Sequence, residues 1–157
     1  MTDCLNSVSI LSFAPEYAPA YKQLNIDWIE KYFTVEEHDI EQLDNPVEYI
    51  IDKGGYILFA KYHDEIAGTC ALIKTGDNEF ELVKMAVTES ARGKQVGKQL
   101  GIAAIEQAKI AGAKRVWLES NRRLIPALNL YTKLGFKEIP VTYTPYARAD
   151  IRMELWL

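Results

Sequence analysis

The sequence predicts an α/β domain built on a mixed sheet. Strand-like and helix-like runs alternate along the chain. Three strand candidates follow one another in meander order over residues 56–87. A strand–turn–helix–strand–helix run then fills residues 80–136. The expected order is β-α-α-β-β-β-α-β-α-β-β.

The elements follow from local patterns. Residues 8–13 read as a strand ended by Pro15. Tyr17, Tyr21, Leu24 and Trp28 recur at helical spacing. Thr34 with Glu37 three residues on predicts a capping box for a second short helix. Asn45-Pro46, with Glu48 behind, opens a third turn that Gly54-Gly55 closes. Strands are expected over 56–61, 66–74 and 79–87, with turns at His63-Asp64 and at Thr75-Gly76-Asp77-Asn78. Residues 96–111 read as a helix with Leu100, Ala103, Ala104, Ala108 and Ala111 on one stripe, stopped by Gly112. A strand at 115–120, a helix at 126–134 ending at Gly135, and strands at 136–138 and 151–156 complete the chain. There is no repeat, low-complexity segment or linker, so residues 1–157 are expected to form one domain.

Composition narrows the function. Hydrophobic residues make up 48% and charged residues 25% of the 157 residues, the balance of a soluble globular protein. The start lacks a basic and then apolar leader, and no apolar run approaches the roughly 20 residues that span a bilayer. A membrane partner is therefore not expected. A net charge of −4 argues against nucleic acid as the partner. Cys4 and Cys70 have neither metal-ligand nor redox spacing. Cys70 reads as a buried free thiol, and such cysteine usage suits a reducing, cytoplasmic compartment. Asp27, Glu30, Glu36, Glu37, Asp39, Glu41, Asp44 and Glu48 crowd the first third. They read either as a solvated face or as a field that attracts a cationic substrate.

The chemistry concentrates at Arg92-Gly93-Lys94-Gln95-Val96-Gly97, between a strand and a helix. Backbone N–H groups at a helix start lack helical partners, and the helix dipole places roughly half a positive charge there. Glycine lets a bulky anion approach the backbone, and Arg92, Lys94 and Lys98 add positive charge. A P-loop would need Gly-Lys-Ser/Thr, and a dinucleotide fold would need three glycines after the first strand; neither is present. Glycine-bearing helix starts are common, so the chemistry alone leaves a phosphate site and a plain helix start both open.

This run resembles the coenzyme A motif of the GNAT superfamily of N-acetyltransferases, Arg/Gln-x-x-Gly-x-Gly/Ala after the fourth strand. Arg92 and Gly97 match its outer positions, and Gln95 stands where the family has its first glycine. A second signature, Ala-x-x-x-Tyr-x-x-x-Gly-Phe, is present as Ala127, Tyr131, Gly135 and Phe136. The segment is also similar to the acetyltransferase half of bacterial proteins that join a MarR-type DNA-binding domain to a GNAT domain, without that DNA-binding half.

The resemblance implies the GNAT-like acyl-CoA N-acyltransferase fold. That is a mixed, mostly antiparallel sheet of about seven strands flanked by helices, with the fourth and fifth strands splayed around acetyl-CoA. Pantetheine would pair with the backbone of Met85, Ala86 and Val87. Pyrophosphate would sit on the turn formed by Arg92, Gly93, Lys94, Gln95, Val96, Gly97 and Lys98. Asn121 would reach the pantetheine arm. Ala127, Asn129 and Lys133 would lie near the cofactor, with plain surface as the other reading of Asn129 and Lys133. No metal is implied.

The resemblance makes Tyr131 the general acid for the leaving thiolate; otherwise it packs on the cofactor. Glu81 matches the catalytic glutamate of histone-acetylating members. It also stands in an otherwise apolar strand, which fits a general base. A carboxylate paired with Lys84 is the alternative. A lysine-like amine has pKa near 10.4, so about one in 2,500 is a free nucleophile at pH 7, and finding it costs about 4.6 kcal/mol. His38 and His63 read as exposed, and Trp28, Trp117 and Trp156 as core or cleft wall.

The expected activity is acetyl transfer from acetyl-CoA to a primary amine by direct attack in a ternary complex. A small-molecule amine is preferred to a protein or peptide acceptor. A regulatory acyl-CoA-binding module with little catalysis is the alternative, and a homodimer is left open. The acceptor pocket would draw on Trp28, Tyr32, Phe33, Glu36, Glu37, Tyr143, Tyr146, Arg148 and Asp150. Within it, Arg148 suits a carboxylate-bearing acceptor and the aromatic and acidic residues suit a cation.

Overall fold

The computed structural model describes residues 8–91, 93–144 and 147–157. Its elements are strand β1 (Val8–Ser12), helices α1 (Ala18–Tyr32) and α2 (Glu37–Asp44), strands β2 (Tyr56–Tyr62), β3 (Glu65–Gly76) and β4 (Glu79–Val87), helix α3 (Val96–Ile110), strand β5 (Arg115–Ser120), helix α4 (Ile125–Leu134), and strands β6 (Lys137–Ile139) and β7 (Ile151–Trp156). A 3-10 turn at Pro15–Tyr17 leads into α1, and a π-helical turn at Val47–Ile51 follows α2. The seven strands form one sheet in the order β1-β2-β3-β4-β5-β7-β6. Every neighbouring pair is antiparallel except β4 and β5. The predicted order of elements is the observed one, and the predicted limits agree within two residues.

Helices cover both faces of the sheet. On one side Tyr21, Ile29, Leu43, Ile50, Ile57, Phe59 and Ala71 pack under α1 and α2. On the other, Leu58, Cys70, Leu72, Leu82, Val116 and Leu118 pack under α3 and α4. Strand β2 therefore buries alternate residues in different cores, Ile57 and Phe59 on one side and Leu58 and Ala60 on the other, as period-2 geometry requires. Helix α3 lies close to β3 because Gly68 has no side chain; a Cβ there would stand 2.9 Å from Val96 Cγ1. The hairpin at His63 and Asp64 takes positive φ at both residues (53° and 63°), the twist that a two-residue β-turn favours.

Strands β4 and β5 pair only at Glu79–Arg115, Phe80–Val116 and Glu81–Trp117. Beyond Glu81 they diverge. On its other edge β4 carries a bulge: the register with β3 slips between Thr69–Ala86 and Ala71–Val83, and Lys84 adopts φ 57°. The extra residue turns the strand away from its parallel neighbour.

Two local expectations are corrected. The N-cap of α2 is Glu36, not Thr34: its N–H donates to Asp39 Oδ2 at 2.9 Å, so the capping residues lie two positions later than the Thr34/Glu37 pair. Ala111 is exposed beyond the end of α3, where the helical stripe has turned toward solvent.

Asp39 does more than cap. It is fully buried, and it joins three segments. Lys84 Nζ of β4 donates to its Oδ1 at 3.1 Å, and Arg148, before β7, donates to both oxygens at 2.9 and 2.7 Å. Arg148 also reaches Glu36 Oε2 at 3.1 Å. Burial alone would push the Asp39 carboxyl up, but the Arg148 hydrogen bonds, the Lys84 charge and the Glu36 N–H hold it at about 2. The ordinary aspartate value is near 3.9. Its contribution to stability is therefore complete above about pH 4 and is lost as pH falls toward 2. Replacing Asp39 by Asn leaves two buried cations short of a partner. We expect Asp39→Asn to cost about 3–5 kcal/mol in urea denaturation at neutral pH and to flatten the acid limb of stability.

Candidate active site

The divergence of β4 and β5 opens a cavity of about 900 Å³. One wall is the outer half of β4 (Glu81, Val83, Lys84, Met85, Val87). The facing wall is the end of β5 with the start of α4 (Glu119, Asn121, Ala127, Tyr131). One mouth is the β4–α3 turn with Gly93, Gln95, Val96 and Gly97; the other is the end of α1 with Trp28, Tyr32 and Phe33. A path thus runs from a helix N-terminus, between two separated strands, to an aromatic chamber.

The turn is bent by left-handed backbone. Gly93 has φ 78° and Gln95, the N-cap of α3, has φ 61° and ψ 26°, so two nearby residues are left-handed. Successive amides in such a turn point into one concavity. A Cβ on Gly97 would meet only Leu130 at 3.5 Å and Val87 at 3.9 Å, which is ordinary contact. The core does not require glycine there; a side chain would take up the cradle itself. Lys94 and Lys98 are exposed at this end and do not line the cavity, and Arg92 lies outside the described residues.

Tyr131 projects from α4 into the cavity, 8% exposed, with its ring edge-on to Phe136 at 6.0 Å. Burial, aided by the nearby Cys70 thiol, pushes its phenol up to about 12, so it is a proton donor at neutral pH. Cys70 is buried and its thiol is itself pushed up to about 12 by burial, as expected of an inert core cysteine. Glu81 reaches the cavity from the last β4 residue that pairs with β5. Burial first, and the Glu119 charge second, push its carboxyl up to about 7, against the pull of Lys84 and Arg152. That is the range in which a group both takes and releases protons at physiological pH.

Several expected residues lie elsewhere or are already engaged. Ala86 is buried in the sheet at 1% exposure, whereas Met85 and Val87 face the cavity. Asn129 and Lys133 are exposed on the far side of α4. The Asn121 amide donates to the Arg148 carbonyl at 2.7 Å and its Oδ1 accepts the Arg123 N–H at 2.9 Å, so Asn121 lines the cavity as a loop clamp. Arg148 does not await a carboxylate from outside: Asp39 and Glu36 supply it from within. Lys84 pairs with Asp39 rather than holding Glu81 in a salt bridge. Asp150 accepts the Arg122 N–H at 2.8 Å, Tyr143 is 76% exposed, and Tyr146 lies outside the described residues. Trp156 stands at the surface, 65% exposed, beside Arg115.

Most of the acidic run is the solvated face, with Asp27, Glu30, Glu37, Glu41, Asp44 and Glu48 exposed. Asp39 and Glu36 are the exceptions. Sequence reading missed Asn25, Glu119 and Arg123 as cavity residues. Glu119 had a signal: it is a glutamate that directly follows the apolar run Val116-Trp117-Leu118 of β5. Among the described residues, no group of three or more His, Cys, Asp or Glu side chains is placed to hold a metal, and no helix is long and apolar enough to cross a membrane.

A parallel pair that parts halfway, with a left-handed turn at one mouth and a tyrosine on the facing helix, is the arrangement that the resemblance to acyl-CoA N-acyltransferases implies. Residues 20–136 match the model of the acetyltransferase (GNAT) family. The chain is 38% identical over 105 residues to the uncharacterised N-acetyltransferase YvbK of Bacillus subtilis, covering 65% of this chain and 68% of that protein. Its fold matches a GNAT-family acetyltransferase from Staphylococcus aureus Mu50 with a TM-score of 0.85 at 22% identity, covering 96% and 99% of the two chains. It also matches a Bacillus subtilis acetyltransferase solved in complex with CoA, with a TM-score of 0.73 at 26% identity, covering 96% and 99%. The chain belongs to the GNAT family of acetyltransferases.

Gln95 carries a side chain in a conformation that costs an L-residue roughly 1–2 kcal/mol. Glycine would remove that strain while adding about 0.4–1 kcal/mol of unfolded-state freedom. Gln95→Gly should therefore raise stability by up to about 1 kcal/mol in chemical denaturation, and should leave CoA affinity within a few fold by calorimetry.

Proposed function

We propose that this single-domain acetyltransferase takes acetyl-CoA as donor and a primary amine as acceptor, and transfers the acetyl group by direct attack in a ternary complex. The observation that carries this reading is that Glu81, at the last β4–β5 pair, and Tyr131, on the helix after β5, line one cavity. CoA bound to the related Bacillus subtilis enzyme supports the choice of donor. The pyrophosphate would lie on the amides of Gly93, Gln95, Val96 and Gly97, and the pantetheine along Met85 and Val87. Lys94, Lys98 and Arg92 would add charge near the phosphates, and Asn129 and Lys133 would stand aside. The free thiol at Cys70 suits a reducing, cytosolic setting.

The acceptor enters from the aromatic mouth. Trp28, Tyr32 and Phe33 form a cluster with ring centroids 5.4–6.5 Å apart. That aromatic lining suits a small-molecule amine. An amine arriving as ammonium gives a proton to the Glu81 carboxylate. Its nitrogen lone pair then attacks the thioester carbonyl carbon, the C–S bond breaks, and Tyr131 O–H passes its proton to the departing sulfur; the former amine nitrogen gives up its second proton, which restores the Tyr131 phenol, and Glu81 returns the first to solvent. The products are an amide and free CoA.

A phenol pushed to about 12 is a weak donor to a thiolate whose ordinary value is near 8.5. Departure into the same buried cavity raises the thiol as well, because desolvation disfavours both anions. The mismatch therefore narrows when both groups share one environment. The alternative, a regulatory module that binds acyl-CoA without turnover, is favoured by Gln95 alone. It predicts no CoA release in the presence of any amine.

Two variants test the assignment with an amine panel and thiol release as the readout. With Glu81 as base, kcat/KM in the parent rises with pH through about 7, and Glu81→Gln removes that limb and lowers the rate about 10²-fold or more. Tyr131→Phe keeps the ring and the CoA affinity but lowers turnover by about 10²–10⁴-fold. Unchanged turnover in single-turnover measurements would remove Tyr131 from proton transfer. Loss confined to CoA binding would make it a wall of the cleft.

A further inference from the structure

The cavity holds a second carboxylate to which the chemistry above gives no part. Glu119 lies two residues beyond Trp117 on β5, and Trp117 is the register partner of Glu81. Strand alternation puts Glu81, Trp117 and Glu119 on one face of the sheet, with the two glutamates on opposite sides of the divergence. Both line the cavity.

Their surroundings differ. The Glu119 side chain is 5% exposed and both oxygens are held. Oε1 accepts the Thr144 hydroxyl at 2.7 Å; Oε2 accepts Arg152 Nε at 3.2 Å and Nη2 at 2.7 Å. Arg152 is fixed in turn by the Tyr143 carbonyl at 2.6 Å and by stacking over Trp117 at 4.8 Å. Glu119 cannot swing to take a substrate proton. Glu81, by contrast, has no hydrogen-bond donor on its carboxylate among the described residues, so it is free to exchange one.

We propose that Glu119 is a positioning residue that acts through Glu81: held across the strand split by Arg152 and Thr144, it supplies the fixed negative charge against which Glu81 gains and loses its proton. The proposal rests on Glu81 being the base. Among the described residues, Lys84 on its own strand and Arg152 on β7 also act on Glu81, with Asp39 of α2 and Arg148 behind Lys84, and Lys31 of α1 and Arg123 before α4 line the same cavity. Lys84 is tied to Asp39 and Arg152 to Glu119, so Glu119 acts on Glu81 with Arg152 opposing it. The rise of the Glu81 carboxyl, caused first by burial and next by Glu119, has the sign this arrangement requires.

Carbon-13 NMR titration of the full chain labelled at glutamate carboxyls tests it without any acceptor, and Glu81→Gln identifies the resonance. Glu119→Gln keeps the size of the side chain and a partner for Thr144 but removes the charge. It should lower the Glu81 midpoint by about 0.5–1 pH unit. Arg152→Met removes the opposing charge and should raise it. A midpoint unmoved in folded Glu119→Gln protein overturns the proposal, and that variant decides alone if Arg152→Met does not fold. A merely structural Glu119 would alter the melting temperature and leave the midpoint in place. If the midpoint moves while Glu81→Gln keeps full turnover, the base assignment fails and the positioning role with it, although the charge coupling stands.

Discussion

The structure depends on where one parallel strand pair stops. Strands β4 and β5 are joined at three positions and then part, because a bulge at Lys84 bends β4 while β5 continues straight into β7 pairing. Backbone donors and acceptors along the parted edges need partners, and a buried edge without them is costly. An extended ligand with amide groups of its own satisfies that need. The same divergence opens the cavity that Glu81 and Tyr131 line, the pair proposed above as base and acid. Without the bulge the sheet would close and there would be no site.

Buried charge fixes two segments beside the cavity. One cluster, Lys84–Asp39–Arg148–Glu36, ties the bulge to the start of α2 and to the chain before β7. The other, Glu119–Arg152 with Thr144 and the Tyr143 carbonyl, ties the same connection to β5. Taking such pairs from water costs several kcal/mol per ion, so their Coulomb gain is largely offset. Their effect is geometric: hydrogen bonds between charged, directional groups allow one arrangement of a segment that hydrophobic contact would allow to slide. Glu81 stays out of both clusters.

The mouth at the β4–α3 turn is shaped by backbone rather than by charged side chains. Left-handed residues at 93 and 95 set the turn, and neither lysine beside it faces the cavity. Glutamine can take the place of glycine at 95 because the turn needs a positive φ, which glycine adopts freely and other residues adopt at a cost.

The sequence by itself determined the order of elements, the α/β class, the glycine-bearing turn between β4 and α3, and that Glu81 and Tyr131 line one cavity. These are local signals: alternation over 79–87, helical stripes such as Leu100, Ala104 and Ala108, glycines at turns, and two spaced motifs. Only the tertiary structure decided which charges meet. Asp39 and Arg148 are 109 positions apart, and nothing in spacing says that one is the other's partner. Arg148 therefore read as an acceptor anchor and Asp39 as part of a solvated acidic face, while Glu119 passed unnoticed. A side chain's partner, burial and proton affinity depend on what the fold brings across from distant segments. Its position on a strand or helix depends on its neighbours in the chain.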